Sequence, residues 1–444
     1  MMPLLPLLFA LALSEPLLEQ TSFPGTPEQS GWHITAQRPE IAPRGWIDRT
    51  VGRGGQGSLA LSGGGNAAAY GGWERTLGAI TPGAWYRLTA EYRCAGFEHE
   101  RRHVLARLDW VTAAGKRAGW PDYGTFSTRQ GVPEDGVAQV GVAGGGEWSK
   151  IVLDAPAPEG AAQVKLQLLL SNAAQGMVWW DHIRLEPIAT PPPRMVHVVS
   201  VNLRPRDTRS AEDSVARFIE FVRGHVQHAD LLVLPEGITE TGNGKTYMEV
   251  AEPVPGPTTA ALGALARDLH TYLVAGLVEL EGPAAYNTAV LIDRSGTLIG
   301  KYRKVYLPRE EIEGGLTPGD SYPVFDTDFG RLGLMICWDS EYADPARALA
   351  LGGAEILALP IWGGNATLVH ARAIENHVFL VSSGHDIATE IVDPVGEVLA
   401  KADTLPGLAV ADIDLNRRYM EEWTGHMRDR FFHEIRDDVP VTRR

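Results

Sequence analysis

A chain of 444 residues is longer than one hydrophobic core usually organises, and two domains of roughly 150 to 250 residues each are expected. A hydrophobic fraction of 44% with 21% charged residues excludes long disorder and fibrous repeats. The net charge of -15 opposes attraction to phosphate backbones or anionic lipid, so nucleic acid is not an expected partner.

The chain opens on an apolar run that ends in Ala12-Leu13-Ser14, a small-x-small pattern suited to signal peptidase cleavage before Glu15. Export to the periplasm or the extracellular space is the expectation for residues 1–20. No Lys or Arg precedes Arg38, which leaves an apolar arm on a cytoplasmic protein as the alternative. No other apolar run approaches the ~20 residues that cross a bilayer, so no stable membrane span is expected. Cys94 and Cys337 fall in regions that read as separate domains, which excludes a disulfide framework.

Residues 21–188 are rich in glycine and in short alternating runs, the pattern of an all-β sandwich. Tyr86, Leu88, Ala90 and Tyr92 share one face of a strand, as do Val104, Ala106, Leu108 and Trp110, and later Val164, Leu166, Leu168 and Leu170. The closing run, Gly176 to Ile188, resembles the last strand of galactose-binding-like jelly rolls, the fold of many carbohydrate-binding modules. That resemblance implies a jelly-roll sandwich with a glycan as a candidate ligand. Trp32, Trp46, Trp73, Trp120 and Tyr123 are the rings that could stack on sugars, and the competing reading places most of them in the sandwich core.

Residues 189–195, with three consecutive prolines, make an extended spacer without sheet donors, and the domain boundary is placed there. Beyond it, apolar strands at Val196–Val201, Asp230–Leu234 and Leu273–Val278 alternate with helices, an α/β layout. One helix follows Ser210, with Asp213 in a capping position and Val215, Phe218, Ile219, Val222 and Val226 forming its apolar stripe. A second runs from Thr258 to His270, burying Leu262, Leu265 and Leu269.

Three strand ends carry candidate chemistry. In Leu231–Gly237, Pro235 ends a buried strand and delivers Glu236 to the sheet rim, where partial desolvation suits a general base. In Gly300–Pro308, Tyr302, Lys304 and Tyr306 alternate along an extended segment, so one lysine could point inward and stabilise developing negative charge. In Arg331–Leu349, an apolar strand runs into Cys337, and Asp344-Pro345 opens a helix behind it. A cysteine at such a bend faces unpaired amides that could lower its pKa and bind an oxyanion, that of Trp338 first among them. Singly, each residue also reads as ordinary scaffold: a solvated glutamate, an edge-strand lysine, a small core cysteine.

Together, LPEG at Glu236, KYRK at Lys304 and ICWD at Cys337 resemble the Glu, Lys and Cys triad of the nitrilase superfamily of carbon–nitrogen hydrolases. The likeness extends over residues 196–414, through Pro255–Pro257, Tyr286–Asp293, Ala371–Gly384 and Ile391–Ala400. It implies a four-layer α-β-β-α sandwich over 196–415, a homodimer, and a C-terminal tail over 416–444 that contributes to the dimer contact. It implies a cysteine thioester mechanism that needs no metal or cofactor, acting on amide, carbamoyl or nitrile substrates, with amidase the first expectation. It also implies a second glutamate after the lysine. Glu310, Glu311 and Glu313 compete for that role, and the context of Glu313 fits the family pattern best. Tyr342-Ala343-Asp344 departs from the Phe-Pro-Glu that many members carry, which leaves the subfamily open. Trp362 and Asn365 are candidates for the substrate pocket, and His385 reads as a hydrogen-bonded scaffold residue. Two rival functions stay open: an N-acyltransferase using the same thioester, and an exported glycan-binding protein with an inactive hydrolase-like half.

Overall fold

The computed structural model describes residues 15–96, 100–119, 134–137, 148–385, 389–421, 425–426, 435–436, 439–440 and 442. The expected cleavage signal before Glu15 and two of the candidate sugar-stacking rings, Trp120 and Tyr123, lie outside them. The chain divides into two compact units, residues 1–191 with 418–444, and residues 192–417.

The first unit is built from antiparallel sheets. One orders strands Arg44–Asp48, Ser58–Ser62, Met177–Ile188, Trp85–Ala95 and Ser149–Pro156, with Leu18–Gln20 added to Met177–Ile188. The other orders His33–Thr35, Tyr70–Leu77, Gln163–Ser171, Val104–Val111 and Glu134–Val137. Their alternating apolar residues meet in one core that contains Leu88, Tyr92, Leu108, Trp110, Leu166 and Trp180. Trp32 and Trp73, at 0% and 1% exposure, belong to that core and present no face to a sugar. Trp46 is half-buried on the outward side of its strand.

Of the tail expected over 416–444, the residues from Arg418 on group with the first unit, where Arg102 donates to the Ile435 carbonyl at 3.0 Å and the Arg418 guanidinium lies over the Trp85 ring.

In the second unit, strand β1 (Met195–Asn202) is followed by α1 (Ala211–His225), β2 (Leu231–Val233), α2 (Pro257–Leu269), β3 (Tyr272–Glu281), β4 (Ala284–Ile292) and β5 (Leu298–Arg303). A short helix α3 (Arg309–Glu313) leads to β6 (Val324–Asp326) and β7 (Arg331–Leu334). Then come α4 (Ala343–Leu351), β8 (Ile356–Pro360), α5 (Ala366–Ile374), β9 (Phe379–Ser383), β10 (Glu390–Val392), β11 (Val398–Lys401) and β12 (Gly407–Asp414). One sheet orders β5-β4-β3-β2-β1-β12 and the other β6-β7-β8-β9-β10-β11.

The two sheets face each other, with β1, β2 and β3 against β8 and β9. Two hydroxyls bind across that interface, Ser200 to the Ser382 carbonyl at 2.6 Å and Ser383 to the Val201 carbonyl at 2.7 Å. Helix α1 starts at Ser210, whose side chain accepts from the Asp213 amide. Its Val215, Phe218 and Val222 join Leu262 and Leu265 of α2 over the outer face of the first sheet, while α4 and α5 cover β7 and β9. The layers therefore run helix, sheet, sheet, helix, with each helix burying its apolar stripe. Among the described residues no helix is long and apolar enough to cross a membrane.

Candidate active site

Strands β2, β5 and β7 end near one another and hand over the three residues singled out in the sequence. After β2, the Leu234 amide still pairs with the Val274 carbonyl, Pro235 closes the ladder, and Gly237 turns the chain away at φ 61°. The neighbouring strand permits this approach because position 276 is glycine: a Cβ there would stand 2.7 Å from the Glu236 Cα. Glu236 is left almost fully buried, at 3% exposure.

Lys304 follows β5 directly, its amide bonded to the Asn287 carbonyl at 2.9 Å, and its side chain is fully buried. An ammonium in such a place needs anionic partners. It has two: Nζ donates to Glu236 Oε1 at 2.9 Å and to Glu311 Oε1. Asn287 Nδ2 donates to the same pair of oxygens, at 2.7 Å and 3.2 Å. The other oxygen of each glutamate, Oε2, is buried with no hydrogen-bond partner among the described residues. Burial, joined by the negative charge of Glu236, raises the Glu311 carboxyl above its ordinary range, with Lys304 pulling the other way. Lys304 itself is raised by Glu236, Cys337 and Glu311 against the opposing effect of burial.

Cys337 stands between β7 and a short 3-10 turn, Cys337–Glu341, at φ 42°. A non-glycine residue in that region is strained, and such strain collects at functional sites. Its thiol donates to the Gly363 carbonyl at 3.2 Å. The sequence led to a thiol of lowered pKa, and the structure shows the opposite. Burial first, then the charge of Glu236, pushes Cys337 up to about 12, with Lys304 and the backbone around Trp362 and Gly363 only partly offsetting them. At that pKa the resting thiol keeps its proton, and such a thiol needs a base before it can react as a nucleophile.

Asp339, two residues on, fixes the elbow. Its carboxylate accepts from the Tyr302 hydroxyl at 2.8 Å, the Tyr306 amide at 3.0 Å and the Ile336 amide at 2.9 Å, so it joins the lysine segment to the cysteine segment. Burial raises its pKa to about 6 despite these donors. Asp339→Ala leaves two buried donors and one partly buried donor unpaired and is expected to destabilise the second unit by about 2–4 kcal/mol, read by urea unfolding. A change under about 0.5 kcal/mol would show that the joint contributes nothing.

Of the other residues proposed from sequence, Trp338 is exposed, and its amide precedes the first bond of the turn, which runs from the Asp339 amide to the Ile336 carbonyl. Trp362 packs on His385, with ring centroids 4.5 Å apart, beside the carbonyl of Gly363 that holds the thiol. His385 is fully buried and bridges main chain, with Nδ1 against the Leu203 carbonyl and Nε2 against that of Glu236, as befits scaffold.

Two expectations are corrected. Glu313 lies on the exposed side of α3, paired with Arg309 four residues earlier, and the glutamate at Lys304 is Glu311. Asn365 is the N-cap of α5, its side-chain oxygen accepting from the Thr367 amide at 3.0 Å, a local task that explains it without a substrate. Asn287 was missed. It stands in the middle of β4, in the quoted run Tyr286–Asp293, where a polar side chain among apolar neighbours was the available signal.

The family model for carbon–nitrogen hydrolases matches residues 198–420. An omega-amidase of Homo sapiens is 32% identical over 261 residues, covering 52% of this chain and 88% of the relative. A nitrilase of Pyrococcus abyssi is 39% identical over 211 residues, covering 43% of this chain and 78% of the relative. Among solved structures, an amidase from Nesterenkonia sp. AN1 is 26% identical, with 49% of this chain and 93% of that chain aligned at a TM-score of 0.44. The match of the family model over half of the chain, together with relatives covered over most of their length, places it: the chain belongs to the carbon–nitrogen hydrolase family of the nitrilase superfamily, and its second unit is the hydrolase.

Proposed function

We propose that the protein is an amidase that hydrolyses a small-molecule amide through a thioester on Cys337. Glu236 serves as general base, Lys304 with the Trp338 amide as the oxyanion site, and Glu311 orients the substrate. The observation that carries this reading is the split between the two oxygens of Glu236. Oε1 is held by Lys304 and Asn287, while Oε2 is buried and unpaired, a fixed acceptor beside a thiol that keeps its proton.

The cycle follows from that asymmetry. Glu236 Oε2 takes the thiol proton as sulfur attacks the carbonyl carbon, and the new oxyanion is stabilised by the Lys304 ammonium and the Trp338 N–H. Collapse breaks the C–N bond, Glu236 returns the proton to nitrogen, and ammonia or an amine departs. Water then gives a proton to Glu236 and attacks the thioester, and the second collapse breaks the C–S bond, releases the acid and lets the leaving sulfur take the proton back from Glu236, which restores the resting thiol. Carbamoyl compounds and nitriles present the same electrophilic carbon and fit the same groups.

Intact-mass measurement during exposure to an amide panel is expected to show an acyl adduct on Cys337, with acid and ammonia as products. Product analysis with hydroxylamine or candidate amines present separates hydrolysis from acyl transfer. Transfer that outruns hydrolysis would make the protein an N-acyltransferase, and the absence of both adduct and turnover would leave the second unit as inactive scaffold.

The two glutamates of α3 provide an internal comparison. Glu311→Gln keeps the shape but changes the partner of Lys304, and a fall in kcat/KM on the order of 100-fold is expected. Glu313→Gln, at an exposed ion pair, is expected to stay within about twofold. Steady-state assays of both on one amide check the assignment, and equal effects would undo it.

A further inference from the structure

Glu240 is a third carboxyl at this site, and the proposed cycle gives it no task. It lies on the turn that follows Glu236, with its amide bonded to the Gly237 carbonyl at 3.0 Å. Its side chain folds back over Gly237, where a Cβ would stand 2.6 Å from Glu240 Oε1, so the missing side chain at 237 makes room for the carboxyl. Glu240 Oε2 is buried and has no hydrogen-bond partner among the described residues, as is true of Oε2 in Glu236 and Glu311.

Among the described residues, three carboxyls thus share one cluster with a single ammonium. Lys304 gives its hydrogen bonds to Oε1 of Glu236 and of Glu311, and among those residues no such bond reaches Glu240. Tyr247 stands beside the cluster: burial first, then the charges of Glu240, Glu311 and Glu236, raise its hydroxyl above the ordinary value. Burial, followed by the charges of Glu236 and Glu311, pushes Glu240 up to about 8, and Lys304 opposes this only in part. A half-buried carboxyl whose inner oxygen has no partner is unfavourable in the empty protein. A ligand cation beside it turns that cost into an attraction, a neutral group leaves it in place, and an anion adds repulsion.

We propose that Glu240 is a specificity-determining residue and that the substrate is an amide bearing a cationic group, a primary ammonium or guanidinium, a few bonds from the scissile carbon. The inference rests on the amidase reading for the bond that is cut, and on the unpaired Glu240 oxygen for the group that is recognised. A cation seated there favours the ionised carboxylate, so its binding displaces the Glu240 proton to solvent. Glu240 then discriminates by charge while Glu236 and Cys337 act on the amide.

The test uses the full chain carrying Cys337→Ala, which binds without turnover, and calorimetric titration with three amides. These are 4-aminobutanamide, its neutral isostere pentanamide, and the anionic succinamate. The cationic amide is expected to bind at least about tenfold more tightly than pentanamide, with net proton release when two buffers of different ionisation enthalpy are compared. Adding Glu240→Gln is expected to remove both the preference and the proton release, and Glu240→Asp, which withdraws the charge by one methylene, to give an intermediate preference. Equal binding of the three amides, tighter binding of succinamate, or a preference that survives both substitutions overturns the inference. Wild-type ammonia release is measured separately: cationic preference in binding without turnover of any amide would sink the amidase reading and leave the recognition by Glu240 standing.

Discussion

Cys337→Ala is expected to lower amide turnover by a factor of about 10⁴ or more while the protein stays folded. The size of the effect follows from the protonated resting thiol. Every intermediate of the proposed cycle is bonded to that sulfur, and neither Glu236 nor Lys304 offers a substitute nucleophile. The small structural cost follows from position. The substitution removes one atom from a half-buried site and one hydrogen bond, to the Gly363 carbonyl, and alanine must still adopt the positive φ that cysteine already tolerates. A stability change within about 1 kcal/mol is expected. Ammonia release and a circular dichroism melt on the same preparation check both halves. Residual hydrolysis near the wild-type rate would remove Cys337 from the chemistry, whereas a collapsed melt would make the lost activity uninformative and direct the test to Cys337→Ser.

The legibility of this site in the sequence depended on where each residue sits along its element. Glu236 and Cys337 each follow a short apolar strand and Lys304 follows an alternating one, and a strand end has a direction that alternation and a breaking proline can predict. The choice between Glu311 and Glu313 had no such signal. In one short helix two residues are turned about 200° apart, and which face meets Lys304 is decided by how α3 packs, a contact with no trace in local pattern. Asn287 was hidden for a related reason, since a residue inside a regular strand is assigned a face but not a partner. The raised thiol pKa was missed because amides behind the elbow were weighed without the burial of the thiol and the Glu236 charge beside it.

The fold divides the same way. Alternation placed Leu88, Leu108 and Leu166 on faces that do meet in one core, and the stripe Val215-Phe218-Val222 does cover the first sheet of the second unit. The association of residues 418–444 with the first unit was not legible, because it depends on contacts such as Arg102 with Ile435, which are more than three hundred residues apart in sequence.

Lys304→Met is expected to cost both activity and stability, and the stability loss should depend on pH. Methionine keeps the length and the apolar stem, so the change subtracts the charge with little change of volume. What remains is a buried group of Glu236, Glu311 and Glu240 carboxyls without a cation, and breaking a buried pair in this way costs on the order of 3–5 kcal/mol when the survivors are ionised. The carboxyls can escape that cost by keeping protons. The folded-state pKa values of Glu311 and Glu240 then lie further above the unfolded value near 4.5, as that of Glu240 already does at about 8. Between those two limits the folded state holds more protons than the unfolded state, so stability falls as pH rises through the window. The wild type carries part of this slope through Glu240, and Lys304→Met should steepen it. Urea unfolding at pH 5 and pH 8 is expected to show a modest deficit at pH 5 and the full loss at pH 8, together with a fall in kcat of about 10³. A deficit of equal size at both values would mean that Lys304 stabilises the unit through packing alone. In that case the two Oε1 contacts, and with them the fixed orientation of Glu236 on which the base role depends, would not be held by charge.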